Sequence, residues 1–313
     1  MLFRRAFSET LAPTKRWFHP PERRRTTGGS QSLEYLYGLS AVYAALVSNR
    51  RRLVKLYRQH SNDILAKKNT LADKILALAD EKKVPQEYVS KERLNDLCFQ
   101  RPHQGLVLRA TPYPLANIKE LGNWSATHPT YTVHCTQGEP RRHSTAGKAP
   151  RWLALDQLTD PQNVGSIVRS AYYFGVSGIV LCSKNSSKLS PVVAKASSGA
   201  LECMDVYQST GLTKFLDRCH QRGWTVLGAT VPDSTEPNPA LLPLHSLSTL
   251  SKAPVILVVG SEGQGLRSAV KSACQQIVSI PSTNPSVQPF VDSLNVGVAT
   301  GILLQGLSDA EGS

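Results

Sequence analysis

The chain predicts an α/β protein: a parallel sheet in its second half, preceded by a smaller α+β unit. Three observations carry this. From residue 151 onward, short runs of apolar residues alternate with segments of helical period, the mark of βα units around a parallel sheet covered on both faces. The 313 residues are enough for two domains. The charge is divided between them, since residues 1–150 hold 25 Lys and Arg against 12 Asp and Glu, whereas residues 151–313 hold 11 of each. The whole net charge of +13 therefore sits in the first half, the pattern of a polyanion-binding or targeting half joined to a neutral one.

Within the first 25 residues, Arg4, Arg5, Lys15, Arg16, Arg23, Arg24 and Arg25 face only Glu9 and Glu22, and Phe3, Phe7 and Leu11 recur at helical spacing. An Arg-rich, acid-poor amphipathic opening without a long apolar core reads as a mitochondrial presequence over residues 1–27, which places the protein in the matrix. The alternative for the same residues is a basic tail that grips RNA. Residues 28–112 form the small unit. A stripe of Leu36, Leu39, Val42, Tyr43, Leu46 and Val47 predicts a helix over 33–58, and Leu71, Ile75, Leu78 and Ala79 predict another over 70–82. A short strand at 88–89, a helix over 91–98 and a strand over 105–109 complete it. Arg50, Arg51, Arg52, Lys55 and Arg58 put five cations in nine residues, which points to phosphate contact; a solvated helix end is the alternative. Five prolines over 111–150, scattered among Ser, Thr, Gly and His, make 113–149 a flexible linker.

The second half, 150–313, predicts strands at 152–155, 178–182, 225–229, 255–259 and 277–280. Helices are expected over 164–174, 194–199, 212–222, 266–275 and 294–307. Ligands of such sheets bind beyond the carboxyl ends of the strands, so the loops after 155, 229, 259 and 280 share one neighbourhood. Three of these loops stand out. Asp160-Pro161-Gln162-Asn163 opens a helix that carries Arg169, with Asp160 as N-cap and Pro161 at the first helical position. Gly260-Ser261-Glu262-Gly263-Gln264-Gly265 follows a strand and precedes a helix, but its spacing is not the dinucleotide fingerprint, and Glu262 would repel a pyrophosphate. Ile280-Pro281 leads through Asp292-Ser293-Leu294-Asn295 into the last helix.

In order and setting these loops resemble the three signature motifs of the SpoU family of RNA ribose 2′-O-methyltransferases, over roughly residues 150–310. Tyr37-Gly38 and His103-Gln104-Gly105 resemble the small ribosomal-protein-like RNA-binding domain of the subgroup that methylates a P-loop guanosine. The resemblance implies a C-terminal trefoil-knotted sheet domain, S-adenosyl-L-methionine as cofactor and a homodimer. It also implies 2′-O-methylation of a guanosine in mitochondrial large-subunit rRNA, as naked RNA or within a pre-ribosomal particle. By the same resemblance Thr230, Gly260, Ile280 and Leu294 line the cofactor pocket, and Asn163, Arg169, Glu262, Ser293 and Asn295 form the catalytic set. Arg169 is the family's proposed base or hydroxyl-orienting residue, although a guanidinium stays charged at any physiological pH. Glu262 or a substrate phosphate could instead take the proton. One departure is the segment 282–290 (STNPSVQPF), longer than in bacterial relatives.

Other classes are disfavoured. The six cysteines stand apart with no C-x-x-C, which argues against a disulfide scaffold, a zinc knuckle or a dithiol redox site. No apolar run approaches the ~18 residues of a membrane span, so neither a metal nor a membrane is expected. The rival readings are an rRNA-binding assembly factor that uses the knotted domain only to dimerise, and a tRNA 2′-O-methyltransferase. Trp152 and Trp224 read as core residues; Tyr35, Tyr37 and Tyr43 could stack a base.

Overall fold

The computed structural model describes residues 32–59, 70–145, 147–230, 239–284, 286 and 293–308. The expected presequence and most of 282–290 lie outside the described residues.

The first half folds as β1 (Glu34–Tyr37), α1 (Leu39–Ser48), β2 (Leu53–Gln59), α2 (Thr70–Glu81), β3 (Gln86–Val89), α3 (Lys91–Leu97) and β4 (Leu106–Ala110). Its sheet has the order β1-β4-β2-β3, antiparallel except between β2 and β3. The single helix expected over 33–58 is thus a strand, a helix and a strand. Gly38 (φ 86°) and Asn49 (φ 55°) turn the chain at either end of α1 in backbone conformations that a continuous helix excludes. Leu36 and Tyr37 then point to opposite faces, Leu36 into the main core and Tyr37 into a cluster with Tyr57, Leu94 and Val107.

Residues 113–149, expected as a flexible linker, instead supply β5 (Ala116–Leu121), β6 (Thr130–Cys135) and β7 (Arg141–Ser144). β5 pairs in parallel with a strand of the second half, and β6 and β7 extend that sheet as an antiparallel ribbon. Burial of Ile118, Leu121, Tyr131 and Val133 beneath Trp152 and Trp224 holds them there. Both tryptophans are core residues, 1% exposed, and their indole N–H groups donate to Tyr131 Oη and Gly122 O.

The second half continues as β8 (Arg151–Leu155), α4 (Pro161–Tyr173), β9 (Gly178–Cys182), α5 (Pro191–Ala196), α6 (Ala200–Cys203), β10 (Val206–Ser209), α7 (Leu212–Gln221) and β11 (Thr225–Ala229). There follow β12 (Ala240–Leu242), a 3₁₀ helix (Leu244–Lys252), β13 (Val255–Val259), α8 (Ser268–Ser272), β14 (Gln276–Val278) and α9 (Val296–Ser308). The ten strands run β12-β14-β11-β13-β8-β9-β10-β5-β6-β7, parallel from β12 to β5. β8, β9 and β13 are buried at every residue, as strands covered on both faces must be. Along β8, Leu153 and Leu155 join one core layer and Trp152 and Ala154 the other. The first layer runs on without a break into Leu36, Leu46, Leu56 and Leu108 of the small domain, so the two domains share a core.

Two arginines of the basic run close that junction instead of facing phosphate. Arg51 is fully buried; its Nε donates to both carboxylate oxygens of Glu202 (2.9 and 3.0 Å) and its Nη1 to Glu34 (2.8 Å) and the Thr111 carbonyl (3.1 Å). Arg50 pairs with Asp205 at 2.7 Å and donates to Tyr113 Oη, whose own proton goes to the Met204 carbonyl. Lys55 is paired with Glu87, and the Arg58 guanidinium lies 4.4 Å from the Tyr88 ring centre. A buried charge is tolerated only when paired and hydrogen-bonded, and the acidic partners of Arg50 and Arg51 lie some 150 residues further along the chain.

Candidate active site

The strand order reverses at β8: β9 and β10 lie on one side, β13, β11 and β14 on the other. Loops leaving the carboxyl ends of strands at such a reversal open a crevice. Here residues 157–160 after β8, Asn185 after β9 and residues 261–264 after β13 line a cavity of about 420 Å³.

Beneath it lies an ion pair with no counterpart among the expected site residues. Asp156, its side chain fully buried, accepts from Arg267 Nε at 3.0 and 3.1 Å, and its own N–H donates to Val259 O. The hydrogen bonds it donates to Asp156 hold the Arg267 guanidinium firmly protonated. This pair ties the loop after β8 to the start of α8 and fixes the spacing of the two loops. The sequence signal was a carboxylate directly after an all-apolar strand, where only a paired group can sit.

Gly260 follows β13 where the chain doubles back. Ser261 and Gly265 exchange N–H···O bonds of 3.0 and 2.9 Å, and a Cβ on Gly260 would stand 2.1 Å from the Gly265 carbonyl oxygen. No side chain fits there. The turn carries Glu262 outward, exposed at the cavity wall. Asp160, the other carboxylate on that wall, is occupied in capping α4, accepting from the Gln162 N–H at 2.9 Å. Thr230 follows β11, the neighbour of β13; its N–H donates to Val278 O, and its Oγ1 lies near Gly265. Ile280 follows β14 and packs half-buried on the main core.

α9 crosses α4 and joins the first and third motifs. Asn295 Nδ2 donates to Asn163 Oδ1 at 3.0 Å, and Asn295 Oδ1 accepts from the N–H groups of Gly297 and Val298. One side chain thereby caps α9 and orients Asn163. Ser293 and Leu294 stand exposed just before it, Leu294 at 49%. Arg169 lies further along α4 and is exposed. Two associations among these residues are direct: Thr230 lies by the turn from Gly260 to Gly265 that carries Glu262, and Asn295, with Ser293 and Leu294 just before it, meets Asn163.

S-adenosyl-L-methionine needs main-chain donors and acceptors for its adenine edge and apolar surface for the ring. Residues 230, 260 and 280 follow three adjacent parallel strands, and Ile280 is half-buried and Leu294 exposed, apolar side chains of the kind the ring requires. Among the described residues, no group of the chain takes the main-chain amides of Gly260, Ile280 or Leu294. The residues present fit that molecule. Among the described residues no cluster of three or more His, Cys, Asp or Glu could hold a metal ion, and no helix is long and apolar enough to cross a membrane.

Comparison with known proteins agrees with this geometry. Residues 150–305 match the SpoU rRNA Methylase family, and residues 35–116 match the RNA 2′-O ribose methyltransferase substrate-binding family. The chain is similar to mitochondrial rRNA methyltransferase 1 of Schizosaccharomyces pombe, 35% identical over 94% of this chain and 95% of that protein. It is 27% identical to the 23S rRNA (guanosine-2′-O-)-methyltransferase RlmB of Pseudomonas putida, over 87% of this chain and 94% of that one. In fold it is similar to the AdoMet-bound rRNA methyltransferase from Sinorhizobium meliloti, with a TM-score of 0.63 at 19% identity, covering 90% of this chain and 88% of that one. Motif order, sheet topology and similarity along nearly the whole length agree: the chain belongs to the SpoU rRNA methylase family.

Proposed function

We propose that the protein methylates the ribose 2′-oxygen of a guanosine in mitochondrial large-subunit rRNA, in the P-loop, and that it works in the mitochondrial matrix after loss of a presequence over 1–27. The observation that carries this is that the loop opening α4 meets both other motifs: residues 157–160 line a cavity of about 420 Å³ with residues 261–264, and Asn295 bonds Asn163. Naming of relatives as mitochondrial rRNA and guanosine-2′-O methyltransferases supports the substrate.

S-adenosyl-L-methionine, when bound, supplies an electrophilic methyl group. The chain aligns the 2′-hydroxyl for in-line attack and takes its proton. Arg169, charged at every working pH, holds a phosphate flanking the target ribose. Asn163, fixed by Asn295, orients the ribose, and Ser293 keeps substrate and methyl donor in line. Glu262 receives the proton, because it is the carboxylate of the cavity wall that no capping bond occupies. Thr230, Gly260, Ile280 and Leu294 seat the cofactor. A trefoil knot formed by the second and third motifs belongs to the same reading, supported by α9 lying across α4 after β14.

A homodimer is part of the proposal. Tyr172 and Tyr173 on α4 and Leu294, Val298 and Ile302 on or before α9 are exposed by 38–82%, an apolar strip beside Asn163 and Arg169. A soluble chain seldom leaves such a strip uncovered.

The test is incubation of the protein with S-adenosyl-L-methionine and mitochondrial large-subunit rRNA, followed by nucleoside mass spectrometry. Appearance of 2′-O-methylguanosine, absent with Arg169→Ala, is the expected result. Cofactor binding without any methylated nucleoside from rRNA or tRNA would favour the assembly-factor reading.

A further inference from the structure

We propose that the segment after α3 in the small domain is a seat for one unpaired nucleotide, with Phe99 as its stacking platform. The inference rests on the reading of the protein as an RNA-modifying enzyme and assigns a second point of RNA contact, away from the methyl-transfer rim.

Helix α3 ends in a Schellman turn. The Phe99 N–H donates to Asp96 O at 3.2 Å and the Gln100 N–H to Asn95 O at 2.8 Å, with Phe99 at φ 54° and Gln100 at φ 60°. The left-handed position of such a turn is ordinarily glycine, because a Cβ there meets the following carbonyl. Phe99 accepts that cost and recovers nothing by burial, being 84% exposed. The apolar contact that usually braces the turn is also missing, since the two positions are Gln100 and Asn95. A local rule broken twice at one exposed turn is the mark of a working surface.

Gln100, the next residue, opens the lining of a cavity of about 370 Å³ to which Lys91, Asn95, Arg101 and Gln104 also contribute. Its polar groups are mostly donors. Asn95 Oδ1 is taken by His103 Nε2 at 3.1 Å and Gln104 Oε1 by the Leu39 N–H at 3.1 Å, which leaves the two amide NH₂ groups. The Lys91 ammonium and the Arg101 guanidinium, one Nη of which donates to Tyr37 Oη at 3.0 Å, stand with them, while Gln100, its amide turned on Asp96 Oδ1, and Gln59 add acceptor oxygens. Such a lining suits phosphate oxygens together with a base edge that carries both acceptors and donors. An exposed ring beside donors for base edge and phosphate is how proteins hold a splayed-out nucleotide.

The seat is fixed relative to the catalytic loops. Lys195 of α5 donates to the Pro102 carbonyl at 2.9 Å and stands 5.6 Å from the Tyr37 ring centre. α5 in turn packs on α4 so closely that a Cβ on Gly165 would meet Ala196 Cβ at 2.4 Å. RNA held at Phe99 is therefore in register with the helix that carries Asn163 and Arg169.

The experiment uses the full chain and two fluorescein-labelled RNAs, a hairpin with a guanosine-rich unpaired loop and a fully paired duplex of equal length. Phe99→Ala is expected to weaken hairpin binding about 10-fold, the usual size for one lost base stack, with the duplex affinity unchanged. Phe99→Trp restores the hairpin affinity. Phe99→Gly, which relieves the backbone and deletes the ring, melts at or above the parent temperature yet binds the hairpin like the Ala variant. Hairpin binding by the Ala and Gly variants within about twofold of the parent would overturn the seat, as would equal loss for hairpin and duplex or no hairpin binding by the parent. Methylation of large-subunit rRNA separates the two readings. If the parent methylates and the Phe99 variants keep its KM, the seat falls and the activity stands. If the parent methylates no RNA while the variants lose the hairpin, the activity falls and the seat stands.

Discussion

Replacing Glu202 by Ala tests whether the buried ionic node holds the two domains together. In the parent, the Glu202 carboxylate and the Arg51 guanidinium are both fully buried, and Arg51 Nε and Nη2 are both turned on Glu202. The substitution leaves Glu34 and the Thr111 carbonyl on Nη1, so the charge keeps one partner, but two buried donors are orphaned. At about 1–3 kcal/mol for each orphaned donor, and about 3–5 kcal/mol for breaking a buried pair from one side, the cost is near 3–5 kcal/mol. For a domain of this size that lowers the melting temperature by about 6–15 °C. The readout can be made domain-specific in the chain freed of residues 1–27 and with them Trp17, because Trp124, Trp152 and Trp224 all belong to the large sheet domain. In the parent, tryptophan fluorescence and far-ultraviolet circular dichroism should report one shared transition, as a common core requires. In Glu202→Ala the small domain should melt first and the two signals separate. The double variant Arg51→Met/Glu202→Leu, which removes both charges, should return to within about 1–2 kcal/mol of the parent. A Glu202→Ala protein that loses less than about 1 kcal/mol and keeps coincident transitions would refute the reasoning.

Three further outcomes are expected. Burial, followed by the charges of Lys91 and Lys195, holds the His103 imidazole below its ordinary range, and its Nδ1 accepts the Gly105 N–H at 3.0 Å. The unfolded chain then binds the proton more readily, so stability falls as pH drops through about 6.5 toward the lower folded value and levels off beneath it. His103→Gln should flatten the dependence of melting temperature on pH across that window. Gly260→Ala forces the turn open against the Gly265 carbonyl, and isothermal titration should show S-adenosyl-L-methionine binding weakened by at least tenfold in a protein that still melts cooperatively. Ile302→Glu, on the exposed strip of α9, should shift the light-scattering mass from dimer to monomer without lowering the melting temperature of the monomer.

Much of the second half was legible in sequence because its central strands are buried on both faces and apolar, as at Val255–Val259 and Gly178–Cys182. Val206–Ser209, with Gln and Ser, and the exposed Ala240–Leu242 carried no such run and were not expected. Strands that alternate were harder to read. Glu34–Tyr37 shares its apolar residues with the helix that follows, and one stripe ran through both until Gly38 separated them. β5 to β7 carry Lys, Arg, His and Thr at edge positions, and nothing local says that Ala116 pairs with Tyr207. Arg50 and Arg51 looked like surface charge because the residues that bury them, Asp205 and Glu202, are remote in the chain. At the site, the motif loops could be placed from strand order alone. The bond between Asn163 and Asn295 and the pair of Asp156 and Arg267 depend on which helix crosses which, and strand order does not contain that.

The parallel pairing of β5 with β10 sets a timetable for folding. A chain made from its amino end presents β5 (Ala116–Leu121) about ninety residues, and completes the ribbon at Ser144 about sixty residues, before Val206–Ser209 exists to receive them. Until then the β5–β7 ribbon has an open edge, and Arg50 and Arg51 are charges without their remote carboxylates. The open edge invites pairing with the wrong chain, while the two cations keep the half-made surface wet and prevent the small domain from closing early. Docking must wait for residues 202–209, so the order of synthesis delays the slowest, most non-local step to the end. A chain halted before residue 202 should remain soluble but protease-sensitive in its first half, and resistance should set in once the segment carrying Glu202 and Asp205 has been made.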